Sequence, residues 1–254
     1  MHPSGIAALS LVALGLVACS TASTKQHQQR MYQASRANVQ LAIGYMHEGN
    51  LTLADTKLKR ALEEDPEYSV AHWSYALLQW RLGQSELADR HFRKAIALDP
   101  KDPKARNNYG SFLCEIGRIE EGLQQLERAA QNPLYRERAG ALANAGFCAL
   151  KIPDMDRAGA YFRAALAQSP GYGPALYQLA RIAFQQGNYI QARAFMQRYA
   201  QSAKPTAGSL WLSYQIERHL GHRADAERLA MQLKDNFPDS REAVHLLELE
   251  RHGR

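Results

Sequence analysis

The chain has 254 residues, 46% hydrophobic and 22% charged, which excludes a disordered polymer and leaves enough apolar mass for a sizeable core. Three cysteines are too few for a disulfide framework. The formal charge of +6 is unevenly placed: residues 157–216 hold no Asp or Glu but carry Arg157, Arg163, Arg181, Arg193, Arg198 and Lys204, while the other 25 basic and 25 acidic residues cancel. Such a field can steer an acidic partner segment or anionic head groups, or it is simply a solvated helical surface.

From the N-terminus, Gly5 to Val17 is apolar and uncharged, short for a membrane span, and ends in Leu16-Val17-Ala18-Cys19. That ending resembles the bacterial lipobox, which implies removal of residues 1–18 as a signal peptide and acylation of Cys19 on its sulfur and new amine. A plain secretory signal that happens to end in Cys is the competing reading. The leading Met1-His2-Pro3-Ser4 departs from the usual pattern in having no Lys or Arg. Two or more acyl chains anchor stably where a single myristoyl-length chain is marginal. Ser20 follows the cysteine, where Asp would be the usual inner-membrane retention signal. The resemblance therefore implies an outer-membrane, lipid-anchored protein of a Gram-negative bacterium, facing the periplasm. Residues 19–34 are polar and read as a linker.

After the linker a phase of 34 residues sets in: Gly49, Ala54, Leu58, Ala61, Pro66, then Gly83, Ala88, Phe92, Ala95, Pro100, and near the end Gly221, Ala226, Pro238. The small residue recurs as Ala54, Ala88, Gly122, Ala158, Ala192 and Ala226, at intervals of 34, 34, 36, 34 and 34. This period and these residues resemble the tetratricopeptide signature, two antiparallel helices per unit, stacked because no unit buries its apolar face alone. The resemblance implies an all-α, right-handed superhelical solenoid of six repeats over 35–68, 69–102, 103–138, 139–172, 173–206 and 207–240. The two extra residues fall near Asn132-Pro133-Leu134-Tyr135. Residues 241–254, with Ala243, Val244, Leu246, Leu247 and Leu249 at helical spacing, read as a capping helix.

Each marker has a physical role. The small residue lets paired helices approach, the Gly supplies the backbone that ends the first helix, and the Pro stops the second. Pro153 replaces the turn Gly in the fourth unit and Gly122 the crossing Ala in the third; both units are expected to fold. Cys114 and Cys148 fall on the first helices of neighbouring units, and helix phase puts Cys114 on the concave surface and Cys148 on the buried side, so two free thiols are expected over a disulfide.

In tetratricopeptide stacks the first helix of each unit lines an inner groove through its second, fifth, ninth, twelfth and thirteenth positions. Laid on this frame, the resemblance implies a protein-binding groove of Val39, Ile43 and Met46, then Val70, Trp73, Leu77 and Trp80, then Asn107 and Ser111. It continues through Phe147 and Leu150, Tyr177, Arg181 and Phe184, and Trp211, and takes in every tryptophan of the chain. Exposed rings in such a groove are hot-spot material; for any one of them, packing as core is the competing reading. A groove of this chemistry suits an extended or helical apolar peptide from a partner protein. The chaperone-tail clamp of other tetratricopeptide proteins needs Lys and Asn where the first unit has Val39 and Ile43.

No catalytic motif is present: no Gly-Lys-Ser phosphate loop, His-Glu-x-x-His, Gly-x-Ser-x-Gly or Cys-x-x-Cys. His219 and His222 could share a metal, but His pairs on a solvated helix are usually only that. No enzyme, cofactor, metal or small-molecule substrate is expected, and export disfavours nucleic acid.

The stretch Asn107-Asn108-Tyr109-Gly110-Ser111-Phe112-Leu113-Cys114, with Gly117-Arg118, Glu127-Arg128-Ala129, Asn132-Pro133, Tyr135 and Asn144-Ala145-Gly146-Phe147-Cys148, resembles the type IV pilus biogenesis lipoproteins called PilW or PilF. The resemblance implies a pilotin that binds secretin subunits and promotes their outer-membrane localisation and multimer assembly. Its partners would be the secretin and, through Cys19, the membrane. An outer-membrane adaptor that scaffolds cell-wall hydrolases or barrel-protein assembly keeps the anchor and changes the client.

Overall fold

The computed structural model describes residues 7–152 and 154–252, with side chains from residue 25 to residue 251. The signal-peptide cleavage and the acylation of Cys19 therefore lie outside the described side chains, and Pro153 lies outside the described residues. These residues form helices and no strands. The helices are α1 (Ala7–His47), α2 (Leu51–Glu64), α3 (Ser69–Arg81), α4 (Ser85–Leu98), α5 (Pro103–Glu115), α6 (Ile119–Gln131), α7 (Arg138–Ala149), α8 (Met155–Gln168), α9 (Gly173–Gln185), α10 (Tyr189–Ser202), α11 (Ala207–His219), α12 (Arg223–Asn236) and α13 (Arg241–His252). Two compact units divide the chain, one ending at Tyr109 and the other beginning at Gly110.

In the first unit, α1 packs on α2 and α3 on α4, around a core of Ala42, Ala54, Leu58, Ala61, Ala71 and Leu78. The register repeats in detail: Ser35 Oγ donates to Ala61 O at 2.9 Å, and Ser69 Oγ, 34 residues on, donates to Ala95 O at 3.1 Å. The expected linker is helical over its described part, because residues 25–34 hold no Gly or Pro and four of the ten are Gln, with Lys, Arg, Met and Ala among the rest. Tyr32, within it, sets its ring edge-on to Tyr68 at 5.3 Å. Among the described residues, no helix is long and apolar enough to cross a membrane.

In the second unit, α7 packs on α8, α9 on α10 and α11 on α12. The turn glycines Gly117, Gly187 and Gly221 have φ of +85°, +74° and +78°, the left-handed region that a side chain disfavours. Pro153 cannot supply that backbone, since its ring fixes φ near −65°. The chain answers by ending α7 early, at Ala149, and tightening it with Lys151 N–H to Cys148 O and Ile152 N–H to Ala149 O. Asp154 then caps α8, accepting from Arg157 N–H at 2.9 Å. The extra residues lie between α6 and α7, where residues 132–137 make the connection; each of the other connections between repeats has four residues.

Gly122 is required rather than merely tolerated. A Cβ there would collide with Cys114 Sγ and lie 2.8 Å from Gly110 O, and a Cβ on Gly110 would lie 2.7 Å from Leu126 Cγ. The two glycines let α5 and α6 cross in near backbone contact.

The expectation of free thiols is corrected. Cys114 and Cys148 form a disulfide with a Cα separation of 5.4 Å, and both are buried, at 4% and 1% exposure. Cys114 is the twelfth residue of its repeat and Cys148 the tenth of the next, and these positions face each other across the seam between successive first helices. The same pairing places Met46 and Leu78 in one core, and Phe184 against the core that holds Ile216.

The cap is only half an apolar helix. α13 buries Ala243 and Leu246 and leaves Val244, Leu247 and Leu249 exposed, so three of its five expected core residues face solvent. Ser240 caps it, accepting from Ala243 N–H at 3.1 Å.

Candidate functional site

The first unit's inner positions divide by size. Val39 and Met46, expected in the groove, are only 2% and 6% exposed and belong to the core with Leu58, Ala61 and Leu78. A valine and a flexible methionine fit the seam between α1 and α3, so that part of the expected groove is a packed interior. Ile43, Val70 and Leu77 are half-buried against the same core, and Trp73 and Trp80 are half-buried, too large for the seam to enclose. The Trp73 indole N–H is buried and has no hydrogen-bond partner among the described residues. Asn107, also half-buried, closes this unit's series.

In the second unit Ser111 is half-buried, whereas Phe147 and Leu150 are open, at 38% and 36% exposure. Tyr177, Phe184 and Trp211 are half-buried and Arg181 is exposed. Each ring is propped by another. Phe147 meets Phe162 edge-on at 5.3 Å, Tyr177 tilts against Tyr199 at 6.0 Å, and Trp211 stacks on Tyr214 at 5.3 Å and meets His245 edge-on at 5.2 Å. Phe184 touches both Tyr189 and His219, which stack on each other at 4.4 Å. Rings held in this way keep an open face without free rotation, which lowers the entropy a partner must overcome. Tyr189, His219 and His245, which frequency of type alone does not single out, are the supports that the sequence reading missed. Their only sequence signal is an aromatic side chain next to a turn or cap that follows an inner ring.

The electrostatics are unlike the raw count. Arg157 holds Glu120 through two N–H donors at 2.6 and 2.8 Å, and Arg193 bonds Glu217 at 2.9 Å, so two of the six cations of the acid-free stretch are compensated from outside it. The Arg157 guanidinium in turn holds Glu120 below the usual carboxylate range. Burial pushes the Tyr177 hydroxyl up, and Arg181 beside it opposes the shift.

His219 and His222 do not converge: the first stacks on Tyr189 and the second bonds Glu217 at 2.6 Å. Glu217, His222 and Asp225 bring ligand atoms within 4.8 Å of one another, but both carboxylates are engaged by guanidinium groups, Arg193 on Glu217 and Arg228 on Asp225. The arrangement offers apolar faces and guanidinium donors to a partner.

Tetratricopeptide repeat models match residues 39–103 and 113–173, 91–124, and 154–208. Over 235 residues, 91% of this chain and 93% of the relative, the sequence is 32% identical to the type IV pilus assembly protein PilF of Pseudomonas aeruginosa. The chain belongs to the PilF/PilW family. Two solved structures of PilF/PilW proteins superpose on it with a TM-score of 0.75: Pseudomonas aeruginosa PilF at 32% identity, over 86% of this chain and 98% of that one, and PilW, described as a widely conserved type IV pilus biogenesis factor, at 30%, over 85% and 99%. The PilF/PilW fold is shared more widely: MamA superposes with a TM-score of 0.54 at 17% identity, over 63% of this chain and 93% of its own.

Proposed function

We propose that the protein is a pilotin of type IV pilus biogenesis, a non-enzymatic scaffold that binds secretin subunits and promotes their outer-membrane localisation and multimer assembly. The observation that carries this reading is the set of propped, partly open rings on the inner helices of a chain that aligns with PilF over nearly its whole length. Division of labour follows from physics. Acyl chains on Cys19 supply membrane affinity, since two or more hold where one does not. The inner helices supply partner affinity through aromatic anchors, as interface hot spots do. No bond to the client is made or broken, so assembly is driven by raising the local concentration of subunits at the membrane.

Deletion of the gene, followed by membrane fractionation and immunoblotting of the pilus secretin, tests the reading. Loss of outer-membrane multimers is the expected result. Normal multimers with normal twitching would overturn it, and a wall-growth or barrel-insertion defect would favour the adaptor reading.

A further inference from the structure

The inner face of α9 and α11 combines three rings with two guanidinium groups. Arg181 is exposed between Tyr177 and Phe184 on α9, and Arg218 is exposed on α11, one helical turn past Tyr214. Neither pairs with a carboxylate among the described residues. Arg181 Nη1 donates to Gln178 Oε1 at 3.3 Å, and Arg218 Nη1 donates to the Tyr214 hydroxyl at 2.9 Å, with its guanidinium 5.8 Å from that ring's centroid. A guanidinium has five N–H donors, so each anchored side chain keeps several for a further acceptor. Contrast Arg157 and Arg193, whose donors are taken up by Glu120, Glu217 and Asp225.

The two inner helices bring little acid of their own to this face. α9 has no Asp or Glu, and the only one of α11, Glu217, is buried and bonded to Arg193 and His222. The carboxylates near it come from α12, α13 and the turn before α13: Glu242 lies near Tyr177 and raises its pKa, Asp239, Glu242 and Glu248 border Trp211, and Glu227 and Glu250 share a hollow with Arg218.

We infer that the α9–α11 face binds a protein segment in which an aromatic or aliphatic anchor is followed closely by one or two carboxylates, the anchor seated on Tyr177, Phe184 and Trp211 and the carboxylates on Arg181 and Arg218. The inference rests on the inner helices being the docking face, as in the pilotin reading, and adds the chemistry of the occupant. A planar guanidinium beside a ring matches a carboxylate through two parallel N–H bonds while the ring takes the neighbouring side chain. An apolar segment alone would leave both cations desolvated and unpaired, which costs affinity.

The test is a selection that does not require the secretin. The full-length protein in detergent is panned with a phage library of random peptides, and recovered peptides are measured by fluorescence anisotropy against wild type and R181Q/R218Q. Expected are sequences enriched in Asp or Glu next to aromatic or aliphatic residues, bound at least about tenfold more weakly by the double variant and steeply weakened by salt. Recovered peptides without acidic enrichment, or equal binding by the variant, would overturn the inference. Vesicles of phosphatidylglycerol are the second probe: binding lost in R181Q/R218Q, with no acidic peptides recovered, would overturn it in favour of a lipid head group. Co-precipitation of the purified secretin is scored separately, so failure of the pilotin reading and failure of the carboxylate inference give different results.

Discussion

The end of α5 from Gly110 on with α6–α8, and α9–α12, belong to one unit and repeat one design, yet they differ in how their first helices meet. In the first of these regions small groups, Gly110, Gly122, Ala143 and the Cys114–Cys148 disulfide, close the helices on one another, while Phe147 and Leu150 stand open. In α9–α12 the fifth and twelfth positions, held by Ala143 and Cys114 in the preceding repeats, carry Tyr177, Phe184 and Trp211, which stay half-buried, propped by Tyr199, Tyr189, His219 and Tyr214. A small residue at the fifth position or a cystine at the twelfth closes a first helix on its neighbour, and a ring there keeps one face open to a partner; volume alone does not decide it, since Leu150 at the twelfth position is 36% exposed and Met46 only 6%.

The largest expected effect breaks the closed half. Cys114→Ser with Cys148→Ser removes a cross-link spanning 34 residues and should cost roughly 2–4 kcal/mol of unfolding free energy. Denaturation in urea, with and without reductant, measures it; a wild-type protein indifferent to reductant would mean that the bridge contributes nothing.

The open half should respond differently. Phe184→Ala or Trp211→Ala should weaken secretin binding by about 2 kcal/mol or more while shifting the melting temperature less than the cysteine variants do. Calorimetric binding paired with thermal unfolding separates the two, and equal losses in both would return these rings to the core.

A third comparison lies in the first unit, where His72 Nδ1 and His91 Nδ1 are 3.0 Å apart. His72 Nε2 donates to Pro66 O at 2.9 Å, so a neutral His72 accepts from His91 at Nδ1. Burial pulls both rings down, His91 to about 4, with Lys94 and Arg90 adding repulsion, Asp65 partly opposing it, and Tyr75 packed edge-on. A depressed folded-state pKa means that the unfolded chain binds more protons, so stability is full above pH about 6.5 and falls as pH drops towards 4. His91→Gln should flatten that fall, as read from unfolding curves across the range. A wild-type curve with no slope there would contradict the pairing.

The smallest effect expected is from Glu120→Gln. The Arg157–Glu120 pair is well formed but solvent-exposed, and its loss should leave the melting temperature unchanged within error. A clear drop would show that it ties α8 to α6 more firmly than an exposed pair does.

The repeat phase was legible because it rests on backbone chemistry: Gly49, Gly83, Gly117, Gly187 and Gly221 all adopt positive φ, and Pro66, Pro100 and Pro238 each follow a helix end. The extra residues before α7 were legible for the same reason, through the shift from Gly122 to Ala158. Burial at the inner positions was not, because it depends on the neighbouring helix. Met46 and Trp80 occupy the same place in their repeats, yet only the methionine is swallowed. The disulfide was missed because the phase of one helix says which side a cysteine is on, not which residue of the next helix comes to meet it. The linker was misjudged since polar composition reports solvation and not the absence of a helix.

Site-specific photo-crosslinking in living cells addresses the central claim most directly, with p-benzoylphenylalanine placed at Phe184 on the inner face and, in a second strain, at the exposed Ile190 at the start of α10. The account predicts a secretin adduct from position 184 and none from position 190. Adducts of equal yield at both positions, or secretin captured only at 190, would contradict it.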